Sequence, residues 1–313
     1  MQKHISIIVV CFNEEKHLEK SLSGLKNQDY PKDKYEVILI DNGSTDSSVE
    51  IAKKYADKVF IKPELKLGAM RNFGSKNSAG EILAFLDGDS EPEKDWLKII
   101  NEISTKFPDT IHGAQLLIPE QAPWLPKAWF CTNSYGRVEV SELCANNFCI
   151  EKKNFEAVGG FDEKITTGED AELFARLRKK FKVMNDDRMR VIHYGIPLKL
   201  KTFFFREMWH GLGALGSFKI DKFDKPLIAT AIFGFGMLLF LLGLILFSKS
   251  TVLLGFFIFN VILILTLLFR AKHLKCREHM LQLYILYFFY FTARFISLIV
   301  LLSGMKHKYY KKD

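Results

Sequence analysis

Cysteine is scarce in this 313-residue chain, and the five that occur (Cys11, Cys131, Cys144, Cys149 and Cys276) form no paired spacing of the kind that marks zinc ribbons or stapled secreted domains. An odd number fits a reducing compartment. Cys144 and Cys149 have no second pair to complete a metal site, so zinc is not expected. A cleavable leader is not expected either, because "MQKHISIIVV" has only a brief apolar run that reads as a strand. The first 200 residues are therefore expected to stay on the side where they are made. Internal repeats and low-complexity tracts are absent as well.

Charge is missing where it matters most. Leu227 to Phe247 and Thr251 to Phe269 contain no charged side chain, and Leu281 to Leu302 contains only Arg294. Each run is about 20 residues, the length at which a helix crosses a hydrocarbon layer about 30 Å thick. Successive runs of this kind point to membrane insertion rather than to a large soluble core. The net charge of +8 is concentrated around them. Lys199, Lys201, Arg206, Lys219, Lys222 and Lys225 precede the first run, and Arg270, Lys272, Lys275 and Arg277 lie between the second and third. Basic flanks mark the cytoplasmic face, and because the membrane accounts for them no nucleic acid is expected. Residues 199–226 mix phenylalanine, tryptophan and lysine as an interfacial amphipathic segment does. Topology carries a conflict: a third full crossing sends the basic tail 304–313 outside, against the charge rule, and buries Arg294 at a cost. Three spans, or two spans and an embedded helix, stay open.

The other half of the chain alternates strand and helix patterns. Ile5–Val10, Val37–Ile40, Val59–Ile61 and Ile82–Leu86 read as strands separated by helical stretches, which predicts a mostly parallel sheet with helices on both faces. Ligands of such sheets lie beyond the carboxyl ends of the strands. That rim is where Cys11–Glu14, Asp41–Asp46 and Asp87–Asp89 fall. Residues 107–150, with Pro119, Pro123 and Pro126 and the tryptophans Trp124 and Trp129, read as a long loop or a flap over an acceptor.

"FLDGDSE" ends a buried strand in two carboxylates separated by one glycine. Such a pair repels itself unless a cation relieves it, and Mg²⁺ or Mn²⁺ takes few protein carboxylates together with water and phosphate oxygens. The competing reading is a turn and cap for a helix starting near Glu91. Asp41 ends its strand in the same way, inside a "DNGSTDSS" stretch that also suits helix capping. Arg71, in "GAMRNFG", has the fork that matches phosphate. Glu169 and Asp170 open a helix, which the helix dipole favours by itself, and which also suits accepting a proton from a hydroxyl. His193, in "VIHYG", is a candidate third metal ligand.

In order and type, "ISIIVVCFNEE", "VILIDNGSTDSS", "GAMRNFG", "FLDGDSE", "VGGFDE…TGEDAELFARL" and "VIHY" resemble the motifs of the family 2 glycosyltransferases over about residues 4 to 200. Beyond residue 198 the composition reads as an interfacial segment at 199–226, two or three transmembrane helices at 227–303 and a basic tail at 304–313, and the resemblance implies a GT-A nucleotide-diphospho-sugar transferase fold at 1–198. It implies a UDP- or GDP-sugar donor held by Cys11, Asn13, Glu14, Asp41, Arg71 and Asp87. Mg²⁺ or Mn²⁺ would sit on Asp87, Asp89 and His193. Asp170 would be the base of an inverting transfer, with Glu169 tuning it. The Gln-x-x-Arg-Trp signature of the processive polymerases is replaced by "FFFREMWHG", which favours single sugar addition. The acceptor would be a lipid-linked sugar or a glycan, at the cytoplasmic face of the cell membrane, in surface polysaccharide or glycolipid synthesis. The alternatives are a polyprenyl-phosphate sugar synthase and a non-catalytic membrane scaffold of the same fold.

Overall fold

The structure, a computed structural model, describes residues 2–131, 136–212, 225–273 and 277–303. They fall into two compact units. One comprises 1–119 and 134–195; the other comprises 120–133 and 196–313.

The first unit begins β1 (Ile5–Cys11), α1 (Glu15–Lys26), β2 (Tyr35–Asp41), α2 (Ser48–Tyr55), β3 (Lys58–Ile61), α3 (Leu67–Lys76) and β4 (Ile82–Asp87). It continues with β5 (Ser90–Pro92), α4 (Trp96–Lys106), β6 (Thr110–Gly113), β7 (Arg137–Glu139), β8 (Phe148–Glu151), α6 (Lys152–Ala157), α7 (Glu169–Leu177), β9 (Lys182–Asp186) and β10 (Val191–His193). Here α5 is the helix Trp124–Trp129, which belongs to the second unit. The main sheet has the order β3-β2-β1-β4-β8-β6-β9-β7. Its first four strands are parallel, β8 runs antiparallel to both β4 and β6, and β7 is antiparallel to β9. The sheet is thus mixed, with the βαβ half predicted from the sequence and a second half of which only β8, in "NFCIEKKNF", reads as a strand there. Strands β1, β2 and β4 are near-continuous Val, Ile and Leu because helices cover both faces. Leu18, Leu22, Trp96, Leu97 and Ile100 pack on one side. Met70, Phe155, Phe161, Leu173 and Phe174 pack on the other.

Register fixes the rim. Cys11 pairs with Asp41 across β1 and β2, and Val10 pairs with Asp87 across β1 and β4. The three strand ends named from the sequence are neighbours, at the point where the strand order reverses. Glu91 does not start a helix. Ser90–Pro92 instead pairs antiparallel with β10, His193 opposite Ser90, and the helix waits until Trp96, a fully buried residue whose indole N–H is taken by Asn147.

The second unit holds α5, α8 (Leu200–Leu212), α9 (Lys225–Ile245), α10 (Lys249–His273) and α11 (Met280–Leu302). Residues Lys225–Ile245, Lys249–Ala271 and Arg277–Leu302 are three helices long and apolar enough to cross a bilayer. Helices α9 and α10 form a hairpin. A Cβ at Gly236, Gly243 or Gly255 would meet backbone of the opposite helix at 2.8 Å or less, the small-residue packing that holds helices together where no hydrophobic effect separates them from lipid. Leu238, Leu241, Leu254, Phe257 and Leu265 point outward. The segment read from sequence as a loop or flap contributes α5, whose Leu125 and Ala128 pack with Phe203 and Leu286. Cys131 is disulfide-bonded, which the cysteine pattern did not lead one to expect; Cys11, Cys144 and Cys149 are free thiols.

Candidate active site

Two loops line the first part of the rim and are laced to each other. Asn13 takes a left-handed backbone (φ 53°), a conformation that asparagine tolerates better than most residues. Its amide oxygen accepts the Thr45 N–H at 2.9 Å, its own N–H goes to the Ser44 hydroxyl at 2.8 Å, and the Glu14 N–H goes to the Ser48 hydroxyl at 2.8 Å. Asp41 is fully buried. Its Oδ1 accepts the N–H groups of Gly43 at 2.9 Å and Ser44 at 2.7 Å, and its Oδ2 accepts the Ser44 hydroxyl. Asp41 therefore organises the loop, and what it offers outward is backbone. Cys11 is buried at the end of β1; burial and the nearby Asp41 carboxylate push its thiol well up, so it stays protonated.

Arg71 is the centre of the second part. Its side chain is 2% exposed, donating from Nη2 to Asp87 Oδ1 at 2.9 Å and from Nη1 to Glu169 Oε1 at 2.8 Å. The guanidinium lies over the Phe161 ring, 5.5 Å from its centroid. Burial pulls the guanidinium pKa down, but Asp87 and Glu169 together raise it, so the group stays charged. Its Nε has no hydrogen-bond partner among the described residues. The fork expected to meet phosphate is instead spent on two carboxylates, tying the end of β4 to the first turn of α7. Asn72 makes a parallel tie, accepting the Phe161 N–H and donating to the Phe161 carbonyl, both at 2.9 Å. Gly160 (φ 67°) makes room for it: a Cβ there would lie 2.5 Å from Asn72 Oδ1. Arg176 completes the arrangement by bonding the carbonyls of Val158 and Gly160. Glu169 is 5% exposed and is held by Arg71, whereas Asp170, the next residue, is half-buried.

The carboxylate pair comes next. Asp89 is buried, and His193 Nε2 lies 3.3 Å from its Oδ1. The Tyr194 N–H donates to the Asp89 carbonyl at 2.8 Å. Gly195 presses on the pair: a Cβ there would come within 1.8 Å of Asp89 Oδ2 and 3.2 Å of His193 Nε2. Burial raises the Asp87 carboxyl pKa, with Asp89 adding to the shift and Arg71 and His193 opposing it. Asp87 is positioned from behind by Asn146, whose side chain accepts the Asp87 N–H at 2.8 Å. No group of three His, Cys, Asp or Glu side chains able to hold a metal exists among the described residues. What is present is a two-donor set, Asp89 and His193, with Asp87 next to it and half-committed to Arg71. Two protein donors suit a hard divalent cation that takes its remaining ligands from phosphate and water.

Sequence reasoning missed Asn72, Asn146, Tyr194 and Gly195. Tyr194 stacks on His17 (5.3 Å between centroids) and bonds Lys20 and Glu91, fastening the strand that carries His193 to α1. Asn72, inside the quoted arginine motif, and Tyr194 and Gly195, inside "VIHYG", had a neighbouring signal; Asn146 had none.

The decisive finding is that residues 6–130 match the family model described as Glycosyl transferase family 2. The chain carries a family 2 glycosyltransferase domain. Its relatives agree. Glycosyltransferase AglE of Haloferax volcanii is 32% identical over 177 residues, covering 53% of this chain and 58% of that protein, so the chain spans little more than half of that relative's length. The Methanococcus voltae dolichyl N-acetyl-alpha-D-glucosaminyl phosphate 3-beta-D-2,3-diacetamido-2,3-dideoxy-beta-D-glucuronosyltransferase is 28% identical over 275 residues, covering 77% and 81%. Among solved structures, the mannosyltransferase PcManGT of Pyrobaculum calidifontis in complex with GDP-Man and Mn²⁺ superposes with a TM-score of 0.63 at 15% identity, covering 98% of this chain and 89% of that one. S. aureus TarS 1–349 in complex with UDP-GlcNAc gives 0.53 at 15% identity, covering 97% and 93%. At such identities the likeness establishes the fold, a mixed α/β GT-A sheet followed here by three apolar helices.

Proposed function

We propose that this family 2 domain transfers a single sugar, with inversion, from a UDP- or GDP-sugar to a lipid-linked or glycan acceptor at the cytoplasmic face of a membrane, in surface polysaccharide or glycolipid synthesis. The observation that carries this reading is the Arg71 bridge, which joins the acidic strand end Asp87 to the helix that presents Asp170. Donor-side and acceptor-side groups are thereby held in one frame.

Cys11 to Glu14 and Asp41 to Ser44 present backbone to the base and ribose. Asp89 and His193, with Asp87 beside them, would hold Mg²⁺ or Mn²⁺ against the donor diphosphate. When bound, such a cation supplies charge neutralisation to the departing nucleoside diphosphate. Asp170 takes the proton of the acceptor hydroxyl as its oxygen bonds to the anomeric carbon and the bond from that carbon to the diphosphate breaks, inverting the centre. Glu169 does not compete as the base because Arg71 occupies its carboxylate. Arg71 acts as a positioning residue rather than a phosphate ligand.

The GDP-Man and Mn²⁺ of the PcManGT complex and the UDP-GlcNAc of the TarS complex support the donor and cation. The name of the Methanococcus relative, which describes transfer to a dolichyl phosphate-linked sugar, favours extension of a lipid-linked glycan over synthesis of a polyprenyl monophosphate sugar. Radiolabelled UDP- and GDP-sugars incubated with membranes containing the protein should give a labelled lipid-extractable product. Label should be lost with EDTA and fall by about 10²- to 10⁴-fold in Asp170→Asn. Full transfer by Asp170→Asn contradicts the assignment of the base, and no transfer from any donor by the wild type leaves the scaffold reading.

A further inference from the structure

Three apolar helices do not all run the same way in the second unit. Helices α9 and α10 are antiparallel along their length, Gly236 meeting Phe259 and Gly243 meeting Val252. Their basic ends, Lys225 and Arg270, are therefore together, and Ser248–Ser250 form the opposite tip. Helix α11 meets α9 at a single level. Tyr284 bonds Asn260 through its hydroxyl. Phe288 packs on Phe259 and Phe233, with centroids 6.3 and 5.9 Å apart. Phe291 stacks on Phe233 at 5.3 Å, and Phe295 fills the place of a Cβ on Gly234. From Tyr284 to Phe295 the axis of α11 advances about 16 Å. Over that advance its contacts on α9 stay at Phe233–Gly234, while those on α10 run from Phe259–Asn260 to Arg270. A third span lying alongside would have moved along α9 by a similar number of residues.

The other side of α11 is polar and covered. Tyr287 accepts from Arg270 at 2.8 Å, at the hairpin's basic end. Helix α8 runs parallel to α11: Phe203 packs with Leu286, Phe204 with Phe289 (6.3 Å), Glu207 pairs with Arg294 at 3.1 Å, and the Ser297 hydroxyl donates to the Met208 carbonyl at 2.6 Å. Arg294 also lies over the Tyr290 ring at 4.9 Å. Helix α8 carries the exposed Lys201 and the half-buried Arg206, which suit a headgroup layer and not the centre of a bilayer. Leu281, Ile285, Ile299 and Leu302 form one exposed stripe on α11, spaced by four, fourteen and three residues and so on one helical face.

We propose that α11 does not cross the bilayer. It lies across the α9–α10 hairpin within the leaflet that holds the hairpin's basic ends, with its apolar stripe in the acyl chains and α8, with the Glu207–Arg294 pair, on its headgroup side. The chain crosses twice, and both ends of α11 emerge on one side. The lipid surface is the partner, and Arg294 is placed beside headgroups instead of in mid-membrane. This rests on the reading that the second unit is membrane-inserted, and the test separates the two.

Single cysteines at Ser250, Glu278 and Ser303, all exposed, are placed in the full-length protein in sealed membrane vesicles. A membrane-impermeant maleimide is added from one side or the other, and label is counted above that of the wild type. Glu278→Cys and Ser303→Cys should be labelled from the same side, and Ser250→Cys only from the opposite side. Ser303→Cys labelling with Ser250→Cys overturns the crosswise helix while leaving insertion intact; all three labelling from one side overturns both. As a second readout, spin labels at Leu281, Ile285, Ile299 and Leu302 should report membrane depths within about 10 Å of one another, whereas a crossing helix would spread them over about 30 Å.

Discussion

Replacing Arg71 by methionine removes the cation that Asp87 and Glu169 share. Glu169, 7% exposed in its side chain, has no water to turn to, while Asp87, 30% exposed, has some. Breaking a buried ion pair by deleting one partner costs about 3–5 kcal/mol, because the remaining charge is stranded. The Glu169 half of the bridge should account for most of that, and Asp87, partly open to solvent, for less. Arg71→Met should therefore lower Tm by on the order of 10 °C, read by intrinsic fluorescence of the detergent-solubilised protein. The double variant Arg71→Met/Glu169→Gln strands no charge at the second site and should recover most of the loss. With the fold restored, the double variant should bind nucleotide sugar within about threefold of the wild type yet turn over at least tenfold more slowly, since the frame holding Asp170 is gone. An unchanged Tm in Arg71→Met, or a double variant no more stable than the single one, refutes the bridge. A donor affinity that collapses with kcat intact returns Arg71 to the phosphate.

Two further outcomes follow from the same geometry. His112 is fully buried with neither ring nitrogen partnered among the described residues, and burial, helped by Arg137 and opposed by Asp186, lowers its pKa to about 4. Its folded pKa lies below the unfolded value of about 6.5, so the stability it contributes is complete above pH 6.5 and is lost as pH falls through 4, amounting to about 3 kcal/mol in all; His112→Leu should flatten the pH dependence of urea unfolding across that window, and an unchanged slope contradicts it. Gly195→Ala drives a methyl group into Asp89 Oδ2, so it should abolish the rise in Tm that Mn²⁺ with a nucleoside diphosphate gives the wild type, while Gly136→Ala, strained by its φ of 64° but with nothing within 4 Å of a Cβ, should start from a lower Tm and keep that rise.

Strands β1, β2 and β4, and the acidic ends of β2 and β4, were legible in the sequence because buried strands read as uninterrupted Val, Ile and Leu and those two ends as abrupt Asp. Strands β6 and β9 were not, since "TIHG" and "KVMND" are short and carry polar residues that the second half of the sheet buries against its own partners. Side-chain commitments were the least legible. Nothing in "GAMRNFG" says that its arginine faces two carboxylates 16 and 98 residues away, and nothing in "DNGSTDSS" says that Asp41 will satisfy its own loop before any ligand arrives. The Glu91 helix reading failed because the residues after Asp89 are needed as a strand against β10, which delivers His193. Arg294 looked costly from sequence alone because its counter-ion, Glu207, lies 87 residues earlier.

The central claim is that Asp89 and His193 clamp a divalent cation onto the diphosphate of a sugar donor. Titrating UDP and GDP into the wild type and Asp89→Ala by calorimetry, with and without Mn²⁺, tests it most directly. One nucleotide should bind the wild type at least tenfold more tightly with Mn²⁺, and Asp89→Ala should lose that gain while keeping its metal-free affinity. Equal Mn²⁺ enhancement in both proteins would contradict the claim.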